Sequence, residues 1–151
     1  MNPLADRRRL LALSVFRQQR CEQAIARTRQ QFQPLLQERD SFAGQEVALH
    51  NLLASHRAED CVLDHGQLLV LLRRQAVIRR QIDLLRVERE RVSQQCREVE
   101  QRLQEQREHL RLVQRKHDKY ERSVWQLMRG QRLEQVRREE REIEEMSGVR
   151  R

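Results

Sequence analysis

Between Leu68 and Leu127 the apolar residues recur at alternating steps of three and four. In heptad terms, position a holds Leu71, Ile78, Leu85, Val92, Val99, Gln106, Val113, Tyr120 and Leu127. Position d holds Leu68, Gln75, Ile82, Arg89, Cys96, Leu103, Leu110, His117 and Val124. No Pro or Gly interrupts the run, and Arg, Glu and Gln fill the flanks. A 3.5-residue repeat sustained this far predicts a coiled-coil helix. A second seam runs earlier in the chain: Leu11, Ser14, Gln18, Cys21, Ile25, Thr28, Phe32, Leu35, Arg39, Phe42, Glu46, Leu49 and Leu53. It has the same spacing with more polar members. Pro34 is expected to kink this helix or break it near Gln33, and Gly44 to weaken it further.

The period lapses over residues 57–64. Asp64 with Gln67 reads as a capping box, with Leu63 and Leu68 as a hydrophobic staple. Asn2-Pro3 reads as an N-cap followed by Pro at the first helical position. The chain is therefore expected to be all-α, a long two-helix antiparallel coiled-coil hairpin with an extended C-terminal helix. The expected layout is one coiled-coil unit over residues 1–151. Its first helix covers about 3–56, its connection 57–64 and its second helix about 65–147. A short connection makes the helices antiparallel neighbours. Centring the hairpin near Val62 pairs Leu53 with Leu71, Phe42 with Ile82 and Phe32 with Val92. It also pairs Gln18 with Gln106 as a register-setting polar layer. Arg39 and Arg89 fall on the seam and are expected to reach out to Glu38 and Glu88. In this register residues from Asp118 onward lack an intrachain partner. Their apolar members, among them Trp125, Leu133, Val136 and Ile143, then imply a partner molecule or a second copy.

Composition narrows the possibilities. Charged residues make up 36% of the chain and aromatics 3%, too little apolar bulk for a wide core but enough for a two-helix seam. All of the 31 basic residues except Lys116 and Lys119 are Arg, and the net charge is +8. That charge permits polyanion binding without requiring it. Cys21, Cys61 and Cys96 are widely spaced and odd in number, the pattern of free thiols. No apolar run approaches the ~20 residues of a membrane span. The Arg7-Arg8-Arg9 start loosely mimics a signal peptide but has no small-residue cleavage site, and an Arg-rich presequence is an alternative reading.

No metal site or cofactor site is expected, because no His or Cys pair has zinc spacing. No catalytic residues are assigned: no motif surrounds any Ser, and a coiled coil offers no pocket. The densest basic patch is Arg73, Arg74, Arg79 and Arg80, near the connection. Glu alternates with Arg through Glu88–Glu108 and Glu139–Glu145, which would repel phosphate and argues against a nucleic-acid partner.

The segment Leu71 to Ile82, Leu-Leu-Arg-Arg-Gln-Ala-Val-Ile-Arg-Arg-Gln-Ile, resembles the central part of the type III secretion stalk proteins, the SctO/FliJ family. Arg115-Lys116, Tyr120, Arg122 and the Arg-rich run ending in Glu139-Glu140 and Glu144-Glu145 resemble its invasion-type InvI/SpaM branch. The resemblance implies a non-enzymatic, cytoplasmic stalk at the base of a secretion apparatus, linking a hexameric secretion ATPase to the cytoplasmic ring of the export gate. Export chaperones are a further implied partner. On that basis Arg73, Arg74, Arg79 and Arg80 are expected to meet the gate. Trp125, Arg129, Arg132, Arg137 and Arg138 are expected to meet the ATPase. The alternatives are a generic coiled-coil dimer or tether, and a basic coiled-coil nucleic-acid binder.

Overall fold

A computed structural model describes residues 2–57 and 59–149. Two helices account for nearly all of them, α1 over Pro3–Ser55 and α2 over His65–Val149, packed as an antiparallel hairpin without strands among the described residues. Both starts are capped as their sequences require. The Asn2 side-chain oxygen accepts the Leu4 N–H at 3.2 Å, and Pro3 occupies the position whose N–H would have no partner. Asp64 Oδ1 accepts the Gln67 N–H at 2.7 Å, while Gln67 Oε1 accepts the Asp64 N–H at 3.2 Å. That is a reciprocal capping box. The staple residues Leu63 and Leu68 are only partly covered.

α1 ends by tightening: the His56 N–H bonds back to the Leu53 carbonyl, and the Ser55 hydroxyl donates to the Leu52 carbonyl at 2.7 Å. In the connection Asp60 takes a left-handed backbone with φ of 57°. Asp is among the non-glycine residues that tolerate this region. Ala58, inside the connection, lies outside the described residues. α1 runs through Pro34 without a break, so of the expected kink or break the break does not occur. The proline removes one backbone bond to Gln30, but both residues are solvent-exposed, so water can take the freed carbonyl. Phe32 and Leu35 on either side are held against the seam.

Packing divides the chain into two compact units. One is residues 26–104. Its core is Ile78, Ile82, Val92, Cys96, Val99 and Leu103, with Thr28 and Glu46 buried beside them, and Val92 has no exposed surface at all. The other groups residues 2–25 with 105–149. Its core is Ile25, Val113 and Val124 with the buried polar Ser14. In both units every fully buried residue belongs to one of the two heptad seams.

The register differs from the expected one. Within 26–104, the Gln75 side chain donates to the His56 carbonyl at 2.7 Å, whereas the expected pairing set His56 against Leu68. In the other unit, Arg8 reaches the Met128 sulfur at 4.0 Å, where Lys116 was expected. The slip is about one heptad or more, and it leaves the same a and d positions facing the seam, so periodicity cannot distinguish the two registers. Two consequences follow. The first turn of α2, including Leu68, Leu69 and Val70, has no helix opposite and is exposed. The C-terminal stretch stays covered as far as Met128, so the uncovered segment begins at Arg129 and not at Asp118. The Gln18–Gln106 layer is also absent. Gln18 donates to Glu22 on its own helix at 3.5 Å, and the buried Gln106 Oε1 has no partner.

Candidate docking surfaces

In the unit formed by 26–104, one flank of the helix pair carries an apolar groove. At one point Leu52 and His56 of α1 face Arg73, Arg74, Val77 and Ile78 of α2 across a recess of about 300 Å³. Farther along, Gln45, Ala48 and Leu49 face Gln81, Leu84 and Leu85 across a recess of about 480 Å³. The α1 members recur at i, i+3, i+4, i+7 and i+11, and the α2 members follow the same rule, so each set shares one helix face. Val77 is 57% and Leu84 59% exposed, so this second apolar face is left open to solvent.

The four arginines expected at this location do not act as a set. Arg73 and Arg74 edge the groove directly. At about 100° per residue Arg80 falls beside Arg73 but about 120° from Arg74, while Arg79 falls on the opposite flank. All four are exposed, and none has an ion pair among the described residues.

The other flank holds a charge cluster. Glu46, buried in the α1 seam, accepts from Arg86 Nε at 3.0 Å and pairs with Arg89 of α2. His50 Nε2 lies 3.7 Å away on the next turn. The hydrogen bond from Arg86, reinforced by the charge of Arg89, lowers the Glu46 carboxyl below its ordinary range against the opposing effect of desolvation. Arg89 thus reaches across to α1, not to Glu88, which pairs with Arg91 at 2.8 Å. Arg39 pairs with Asp40 at 3.4 Å, not with Glu38. The expectation placed each arginine with a neighbour on its own helix. A carboxylate on one seam and a guanidinium on the other were the signal for the cross-helix pair.

The C-terminal segment of α2 has a different character. From Arg129 to Val149 every residue is exposed. The heptad that builds the intrachain seam holds only Gln131, Glu134, Arg138, Arg141, Glu145 and Gly148 beyond Leu127, so that seam ends there. A new apolar stripe starts at Trp125, which is 67% exposed, and continues through Leu133, Val136, Ile143 and Met146. Arg129 and Arg132 lie on the Trp125 side of the helix, whereas Arg137 and Arg138 fall toward its back. Arg138 is also bound to Glu134 at 2.9 Å. The five residues expected here as one surface are therefore split between two faces.

Among the described residues no cluster of His, Cys, Asp or Glu could hold a metal ion. No helix among them is long and apolar enough to cross a membrane. The cysteines are free thiols, Cys61 exposed and Cys96 buried.

Comparison with curated proteins and with solved structures gives no match. Residues 5–147 match the family described as Salmonella surface presentation of antigen gene type M protein. That match spans both helices and the connection, in agreement with the InvI/SpaM resemblance read from Leu71–Ile82 and the Arg-rich C-terminal run. The chain belongs to this SpaM family of type III secretion proteins.

Proposed function

We propose that the chain is a non-enzymatic stalk that couples the hexameric secretion ATPase to the cytoplasmic ring of the export gate, working in the cytoplasm at the base of the apparatus. The observation that carries this reading is the pair of chemically different open surfaces. One is a groove in the 26–104 unit, edged by Arg73 and Arg74. The other is the α2 stripe of Trp125, Leu133, Val136 and Ile143, which lies exposed together with Arg129 and Arg132. A coupling element needs two separate holds, and aromatic residues with Arg are what interfaces favour. The groove is assigned to the gate and the C-terminal stretch to the ATPase. Charge at the groove then steers association more than it sets affinity. Export chaperones are a further partner for the same surfaces.

The test is a two-way binding experiment on the full chain. Deleting residues 131–151 should abolish ATPase binding and leave gate binding largely intact. Reversing Arg73, Arg74, Arg79 and Arg80 to Glu should do the opposite. A chain that loses both partners together without unfolding would rule out separate holds. A chain that loses neither favours the generic tether.

A further inference from the structure

The open groove and the open C-terminal stretch complement each other. Residues 133–149 carry six Glu against three Arg in a chain that is otherwise strongly basic. At about 100° per residue, Glu139 and Glu140 lie on either side of the line through Val136 and Ile143, Arg138 and Arg141 fall on the opposite face, and Arg137 falls beside Leu133. Glu140 has no ion pair among the described residues, and Glu139 accepts only a bond from Gln135 at 3.2 Å. The groove has the reverse pattern. Leu52, Val77 and Leu84 are among its lining, and Arg73 and Arg74 edge it with no ion pair among the described residues. The spacing fits as well: Val136 to Ile143 is seven residues, about 10 Å of helix, the same step as Val77 to Leu84.

We infer that the occupant of the groove is the C-terminal stretch of a second copy of this chain. Ile143 and Val136 enter the groove over Val77 and Leu84, and Glu139 and Glu140 meet the edging arginines. This is helix-in-groove recognition, with apolar anchors giving affinity and charge giving orientation. The contact joins two different patches, so it is heterologous, and each copy keeps one unused groove or tail unless the pairing closes. It goes beyond the stalk reading and does not depend on it. Where both hold, free copies cover the two surfaces that the ATPase and the gate would otherwise find open.

The experiment uses two full-length variants with opposite defects. Val136→Asp with Ile143→Asp spoils the tail and leaves the groove. Val77→Asp with Leu84→Asp spoils the groove and leaves the tail. All four positions are exposed, and circular dichroism checks that helix content is kept. Sedimentation equilibrium at micromolar to submillimolar concentration should show wild-type self-association that weakens with added salt. Each variant alone should associate at least about tenfold more weakly, as loss of central apolar anchors requires. An equimolar mixture should form a one-to-one heterodimer, since one intact tail meets one intact groove. A wild-type chain that is monomeric throughout the range overturns the inference, and so does a variant that associates as well as wild type. Failure of the mixture to pair also overturns it. The readout needs neither ATPase nor gate, so it fails or stands separately from the proposed function.

Discussion

Glu46 shows how one side chain can hold two helices. Its carboxylate lies in the α1 seam and answers Arg86 and Arg89 from α2. Because its pKa is lowered in the folded chain, the stabilisation is complete above the unfolded carboxylate value of about 4.3. It is lost as pH falls through the lower folded value. Glu46→Gln should therefore lower the urea midpoint at neutral pH, and the gap from wild type should close as the pH is taken below the carboxylate range. A gap that persists unchanged in acid would mean that the ion pairs are not what Glu46 contributes. Gln106 is the opposite case, a buried acceptor with no partner. An orphaned buried polar atom costs about 1–3 kcal/mol, so Gln106→Leu should raise stability by an amount in that range. Chemical denaturation would measure it, and a destabilised variant would count against the orphan assignment. Ser14 Oγ and His117 Nδ1 are buried in the same unit without partners.

The helices owe their limits to local chemistry and their continuity to packing. Asn2 and the Asp64–Gln67 box set the two starts through bonds that the sequence spells out. Local rules make Pro34 a kink or a break, yet α1 is unbroken, because seam contacts on both sides outweigh one missing bond. A proline in a helix interior costs about 3 kcal/mol, so Pro34→Ala should raise the thermal midpoint, with a gain of up to that size. An unchanged midpoint would mean that the helix already accommodates the ring without cost. α2 changes character along its length. Its apolar face turns away from the seam beyond Leu127, and the exposure of Leu133, Val136 and Ile143 follows from that rotation.

The alignment of the two helices belongs to the molecule and not to either helix. Within 26–104 the shared walls of the groove bring Leu49 beside Gln81 and Leu85. In a background with Cys21, Cys61 and Cys96 changed to Ser, Leu49→Cys with Ile82→Cys should form an intramolecular disulfide on oxidation. Phe42→Cys with Ile82→Cys, the pair demanded by the register centred on Val62, should not, because disulfides close only over Cα separations of about 4.4–6.8 Å. Mass spectrometry of the oxidised monomer distinguishes the two, and the reverse result would restore the shorter register.

Periodicity was enough to establish the all-α hairpin, both seams and both helix starts, because heptad spacing and capping bonds are local and each residue type has few alternatives. The thirteen positions from Leu11 to Leu53 assigned to the α1 seam are all buried or half-buried in the fold. The stagger was not legible: sliding one heptad past another costs the pattern nothing, and it shows only in cross-helix contacts such as the one from Gln75 to the His56 carbonyl. The groove of Leu52, Val77 and Leu84 was not legible either, since it exists only where faces of two helices adjoin. Arg79 parts company with Arg73, Arg74 and Arg80 for a related reason. Adjacency in the chain made them one patch, but the 3.6-residue turn and the neighbouring helix assign each side chain to its own surface.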